Sequence, residues 1–265
     1  MEVCGIPRGI ALTTDLQEAD RIIAACAAHG VTASVSYLRR WDANFLEIKR
    51  MASDLELGGL VYLCGHMSRF RPYGWQAEVE ASGGFLTYDP TRLIDLYLWL
   101  AGEPEWVTAQ VERRDKSLRV EDFVLATIGF RNGGRAHLEA DAYRDYFEFS
   151  IDLQFSRGRL EFTSGLHDNP YRLFVPQAVD DKWRFMQAAE WEPREAGALQ
   201  VLQIEELVTC LDTGSQPSIT LGAARQVVEV TLGIYESARR GGAEVAFPLN
   251  LTENPLRRMV ADGAI

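Results

Sequence analysis

Tyr88, Asp89 and Arg92 stand together just after the glycine pair Gly83-Gly84. A phenol, a carboxylate and a guanidinium at this spacing can hold a ligand and move a proton. Tyr88 can act as an acid or a hydrogen-bond donor. Arg92 suits a carboxylate or a phosphate. Asp89 is most simply a helix N-cap, and the sharper alternative is a catalytic acid. In the loop upstream, Tyr73 and Trp75 offer aromatic faces on which a ligand ring could stack.

These residues need a helix to carry them, and residues 82–102 supply one. Asp89 and Pro90 open it, Leu93, Tyr97 and Leu100 repeat at helical spacing, and Gly102 stops it. Asp95 sits in its middle. Upstream, Thr14-Asp15-Leu16-Gln17 reads as a capping box before a helix that ends at Gly30. Short strands are expected at 2–5, 10–12 and 31–36, which makes one βαβ unit. A helix over 43–54 and a strand over 60–69 follow.

From Trp106 the chain becomes strand-rich, over 106–114, 121–130, 135–144, 146–155 and 158–163. Asn132-Gly133-Gly134 and Ser156-Arg157-Gly158 serve as turns. Phe147, Phe149, Ile151, Leu153 and Phe155 alternate with Glu148, Ser150, Asp152 and Gln154, so the sheet has one apolar face and one polar face. A strand over 171–175, helices over 198–212 and 221–240, and a last strand over 245–249 complete the chain. The first of these helices is expected to bury Leu199, Leu202, Leu207 and Leu211, the second Leu221, Ala224, Val228, Leu232 and Tyr235.

The net charge is −11 and no basic run occurs, which argues against a nucleic-acid partner. No apolar run approaches the roughly 18 residues of a membrane helix, so no membrane is expected. The four cysteines form no CxxC pair, and the histidines share no ligand spacing, so no metal is expected. Lacking a signal-peptide pattern at its start, the chain reads as cytoplasmic.

The runs ALTTDLQEADRIIAACAAHGV, YLRRWDANFLEIKRM, SGG…RLIDLYLWLAGEP and VEDFVLATIGFRNGGRAHLEA occur in that order. Together they closely resemble the glucose-fructose oxidoreductase / inositol dehydrogenase / MocA family (Gfo/Idh/MocA). That family consists of NAD(P)-dependent dehydrogenases and related enzymes of sugars, cyclitols and polyols. The resemblance implies a Rossmann domain followed by an α+β domain on a large open sheet, mixed or antiparallel and covered by helices on one face. Here residues 1–36 would be a Rossmann remnant with its single βαβ unit, and residues 37–265 the second domain. The sheet's outer face would make a homo- or hetero-oligomer.

Two departures from the family shape the functional expectation. No GxGxxG occurs, so no NAD(P) site is expected. The resemblance places Arg8 where the family has its catalytic lysine, Tyr88 at its aspartate and Arg92 at its histidine; Asp95 matches. Histidine titrates near neutrality and arginine does not. The candidate catalytic residues are therefore Tyr88, Arg92, Arg8 and Asp89, with Arg40, Tyr73, Trp75 and Asp95 as candidate substrate-binding residues. The expected function is binding of a sugar-, cyclitol- or polyol-derived molecule, including anionic ones, for non-redox chemistry such as isomerisation, elimination or cyclisation. The alternatives are a non-catalytic partner subunit of a full-length relative, and an NAD(P)-dependent sugar dehydrogenase whose start site lies further upstream.

Overall fold

The alternation along residues 147–155 becomes strand β5 of a nine-stranded mixed sheet, whose apolar side chains point into the core while the polar ones line the other face. The structure is a computed structural model and describes residues 11–53, 57–144, 147–164, 171–176, 183–186 and 197–265. In chain order the elements are α1 (Leu16–His29), α2 (Ala43–Ala52), β1 (Leu60–Ser68), α3 (Val79–Ser82), α4 (Phe85–Tyr88) and α5 (Thr91–Ala101). Strands β2 (Pro104–Glu112), β3 (Phe123–Phe130), β4 (Arg135–Asp141), β5 (Glu148–Phe155), β6 (Gly158–Ser164), β7 (Tyr171–Pro176) and β8 (Trp183–Met186) follow. The chain then forms α6 (Ala198–Thr213), α7 (Leu221–Arg239), β9 (Val245–Ala246) and α8 (Pro255–Ala261).

The strand order is β8-β7-β6-β5-β1-β4-β3-β2-β9. Every neighbouring pair is antiparallel except β1 with β4. The expected run of consecutive hairpins is thus interrupted. β4 and β5 do not pair, because β1 lies between them. The glycine turns at 132–134 and 156–158 close tight hairpins, whereas the 142–147 connection has no glycine and crosses over β1.

Helices cover the apolar face. α5 lies directly on β1, where Gly65 leaves room: a Cβ there would overlap Tyr97 Oη and both Leu93 methyls. Tyr97 Oη donates to the His137 carbonyl of β4 at 2.5 Å, tying the helix to the sheet. α7 packs beside α5 and over β2, with Ala224, Val228, Leu232 and Tyr235 buried as expected and Leu221 only partly covered. Phe45 of α2 meets Phe149 edge-on at 5.9 Å and tilts on Phe162 at 4.8 Å.

Several local expectations are corrected. α1 is capped by Asp15, which accepts from the Glu18 N–H, and not by Thr14. The carboxylate is the stronger acceptor, and Thr13 Oγ1 donates to Glu18 instead. Residues 11–12 and 31–36 form no strand, so the single βαβ unit is not formed among the described residues. The 31–36 segment is held by side chains: Ser34 Oγ donates to the Ile219 carbonyl at 3.0 Å, Ser36 Oγ to Gln203 at 2.8 Å, and Gln203 Nε2 to the Val35 carbonyl at 3.3 Å. A strand needs a neighbouring ladder, and the polar face of α6 occupies that place. For the same reason α6 buries none of the four expected leucines: Leu211 is 43% exposed and Leu199, Leu202 and Leu207 are only partly covered, while Cys210 is buried and Gln203 and Glu206 face inward to Val35, Ser36 and Trp41. Among the described residues no helix is long and apolar enough to cross a membrane.

Candidate functional site

The corner that carries Tyr88, Asp89 and Arg92 is built by two glycines and one buried acid. Gly83 and Gly84 both have positive φ (72° and 95°), which turns the chain sharply into the single turn of α4. Beneath that turn, Glu121 accepts from the Leu86 N–H at 2.8 Å and from Tyr235 Oη at 2.5 Å. Its second oxygen, Oε2, is buried with no hydrogen-bond partner. Burial pushes the Glu121 carboxyl up to about 7, against the pull of Tyr235 and the α4 N–H groups.

A pH dependence follows from Glu121. Its pKa is raised on folding from 4.5 to about 7, so the folded state holds a proton that the unfolded chain releases. Stability is therefore highest below pH 4.5, falls as pH rises through this window, and carries the full penalty above about 7. Glu121→Gln is expected to remove on the order of 3 kcal/mol of that fall. Asp95, raised by burial to about 6 against Arg40, adds a slope of the same sign. That slope cancels in the difference between wild type and variant. Urea unfolding of both proteins at pH values on either side of the window checks this, and parallel curves would contradict it.

Asp89 is not a side-chain cap. α5 starts at Thr91 behind Pro90 with no side-chain cap, and Asp89 closes α4 instead. Its buried carboxylate is ion-paired with Arg69 Nε through Oδ2 and with Arg92 Nη1 through Oδ1. Two guanidiniums draw the carboxylate away from a backbone N–H. Tyr88 is buried against Phe85 and Trp75, with ring centroids 5.8 and 5.9 Å away. Burial drives its hydroxyl far above the usual tyrosine range, helped by Glu121 and opposed by Arg69. Burial also lowers Arg92 to about 10, as do Arg69 and Arg39 beside it.

Arg40 and Asp95 hold each other. Arg40 donates to both carboxylate oxygens at 2.9 and 2.6 Å, and the pair is almost fully enclosed, at 9% and 0% side-chain exposure. Trp75 reaches the corner through Tyr88, whereas Tyr73 is 77% exposed. Arg8 lies outside the described residues.

The sequence reasoning missed two residues that the fold brings here, Arg69 just after β1 and Tyr37; Arg39, in the 3-10 turn Leu38–Trp41, belongs with Arg40 and Trp41 to a motif that the family resemblance marks as a ligand contact or an ion pair. It also missed a cluster on the open sheet face. His66, Glu139 and Asp141 place ligand-type atoms within 4.8 Å of one another. His66 lies 3.0 Å from Asp141, and Arg144 ion-pairs with Asp141 at 3.2 Å and Glu139 at 3.7 Å, where a cation would sit. Burial alone would lower His66, but Asp141, Glu148 and Glu139 raise it. Register is the missing signal: His66 stands opposite Glu139 across the parallel β1/β4 pair.

An open mixed sheet with helices on one face, carrying a polar corner at a helix start, defines an α+β domain. Residues 45–161 match the GFO/IDH/MocA C-terminal domain. That segment therefore carries a Gfo/Idh/MocA C-terminal domain. The chain is 29% identical over 122 residues to the scyllo-inositol 2-dehydrogenase (NADP(+)) of Bacillus subtilis, an alignment covering 45% of this chain and 34% of that relative. The chain thus spans about a third of the length of that relative. In fold it resembles the aldose-aldose oxidoreductase of Caulobacter crescentus, solved with glycerol (TM-score 0.75, 19% identity, 90% of this chain and 70% of that one). It also resembles a levoglucosan dehydrogenase solved with NADH and L-sorbose (TM-score 0.77, 17% identity, 91% and 72%).

Proposed function

We propose that the corner at Tyr88, Asp89 and Arg92 binds a sugar-, cyclitol- or polyol-derived molecule and acts on it without hydride transfer, by isomerisation, elimination or cyclisation. One observation carries this reading. Among the described residues at the corner, no accessible group can take a hydroxyl proton near neutral pH. The Tyr88 hydroxyl is far too weak an acid to stand as phenolate, and Arg92 stays cationic even at about 10. The Asp89 oxygens are occupied by two guanidiniums. Glu121 and Asp95 do titrate closer to neutrality, but neither has exposed surface. Oxidation of an alcohol releases a net proton and needs such a base. Isomerisation or cyclisation returns its proton to another atom of the ligand, and elimination carries it out with the leaving hydroxyl as water, so that chemistry can instead use Tyr88 as a hydrogen-bond donor, with the arginines orienting the ligand and Trp75 covering it.

In this reading residues 1–36 belong to a dinucleotide-binding part, residues 37–265 to the ligand-binding part, and the open sheet face serves assembly. Incubation with a panel of sugars and cyclitols, followed by NMR, is expected to show conversion without reduced nicotinamide. Tyr88→Phe and Arg92→Ala are expected to abolish it. Full turnover in both variants, or nicotinamide reduction in step with substrate loss, would overturn the reading. A second reading is NAD(P)-dependent oxidation of a sugar or polyol by a longer protein containing this segment. The dehydrogenase relatives and their greater length favour it, and the nicotinamide signal is its readout.

A further inference from the structure

We infer that Arg39, Arg69 and Arg92 form a subsite for an oxyanion, a carboxylate or a phosphate ester, carried by the ligand. This rests on the binding reading above and adds the charge of the occupant. The three guanidiniums come from three separate elements and converge on one place. Arg69 and Arg92 share the single carboxylate of Asp89. Arg39 and Arg69 lie over rings two residues apart at the start of β5, at 4.6 Å from the Phe149 centroid and 5.0 Å from that of Phe147. That stacking sets the two guanidiniums side by side.

The charges do not balance. Arg40 is satisfied by Asp95 and stands apart. Of the remaining three cations, Arg39 has Asp42 at 3.5 Å, and among the described residues Arg69 and Arg92 have only the Asp89 carboxylate between them. Three arginines therefore face two carboxylates. Like charges at this proximity are held together by the fold at a cost, which one bound anion would offset. Glu121 does not fill the place, since its bonds go to Tyr235 and Leu86 beneath α4.

A second observation points the same way. The hydroxyl of Tyr37 is buried, 2% exposed as a residue, and has no hydrogen-bond partner among the described residues. It lies in the electrostatic field of Asp95, Arg40 and Arg92. A buried unpaired hydroxyl is costly and is ordinarily met by a ligand or a water. The arginine side chains themselves are reachable, with exposures of 22% for Arg39, 38% for Arg69 and 27% for Arg92. Guanidinium forks match the paired oxygens of a carboxylate or phosphate, whereas a neutral hydroxyl leaves the extra charge uncompensated.

Calorimetric titration of the 265-residue chain at fixed ionic strength with D-gluconate, D-glucose 6-phosphate and neutral sorbitol tests this. One of the two anions is expected to bind about tenfold or more tightly than sorbitol. Whichever anion binds more tightly identifies carboxylate or phosphate as the source. Arg69→Gln and Arg39→Gln are each expected to weaken the anion about tenfold more than they weaken sorbitol. Arg39→Lys, which keeps the charge and loses the fork, replaces Arg39→Gln if the latter does not fold. Equal binding of sorbitol and both anions overturns the oxyanion subsite while the polyol reading stands. Anion binding that survives both substitutions places the anion elsewhere and overturns the subsite. Binding of none of the three removes both.

Discussion

Asp95→Ala is expected to lower the unfolding free energy by about 3–5 kcal/mol, because it leaves the Arg40 cation buried and alone. Both Asp95 oxygens accept from Arg40, and neither side chain has appreciable contact with water. What remains to Arg40 is a long contact to the Ser218 carbonyl at 3.5 Å and the Trp99 ring at 5.6 Å. Neither replaces a charge. The pair's net worth is a different quantity: replacing both partners with apolar residues, as in Arg40→Met with Asp95→Leu, is expected to recover most of the loss. Urea unfolding followed by circular dichroism measures each variant, the midpoint moving while the slope holds. A single-mutant loss below about 1 kcal/mol would mean that the pair is solvated.

The second large effect belongs to Gly84. Its φ of 95° with ψ of 162° is a region that costs other residues about 1–3 kcal/mol. An added Cβ would also stand 2.5 Å from Leu256 Cδ2, 2.5 Å from Tyr235 Oη and 2.7 Å from Glu121 Oε2. Crowding of that kind adds about 1–3 kcal/mol. Gly84→Ala is thus expected to cost about 3–5 kcal/mol and to move α4, which carries Tyr88. Gly102 is the control. Its φ of 92° and ψ of −142° lie in the same sparsely used territory, but nothing lies within 4 Å of its missing Cβ. Gly102→Ala should lose only the backbone share, about 1–3 kcal/mol. Equal losses at the two positions would show that the crowding around Gly84 relaxes freely.

Local signals in the chain are read correctly where the structure depends on neighbours in sequence. Gly30 ends α1 in the left-handed conformation, Gly102 ends α5, and the alternation of Phe149, Ile151, Leu153 and Phe155 is the buried side of β5. The readings fail where a distant partner decides. Asp89 looks like a cap until Arg69, some twenty residues upstream, is brought against it by β1. The 31–36 segment looks like a strand until Gln203 takes its backbone carbonyl. At the corner itself, Tyr88, Asp89 and Arg92 are visible as one short motif and Arg39 through its Arg-Arg pair, but Arg69 and Tyr37 arrive from other elements, and no spacing in the chain announces them.

The central place of β1 has a consequence for how the molecule comes into being. Both of its neighbours, β4 and β5, are made later in the chain. A growing polypeptide must therefore hold β1 unpaired until β4 (Arg135–Asp141) has been synthesised, and its other edge stays open until β5 follows. Arg69 directly follows that waiting strand, so the arginine corner depends on a strand that pairs late. Until then a nine-residue apolar-edged segment stays open to wrong pairings, a window in which a chaperone would matter more than any later step.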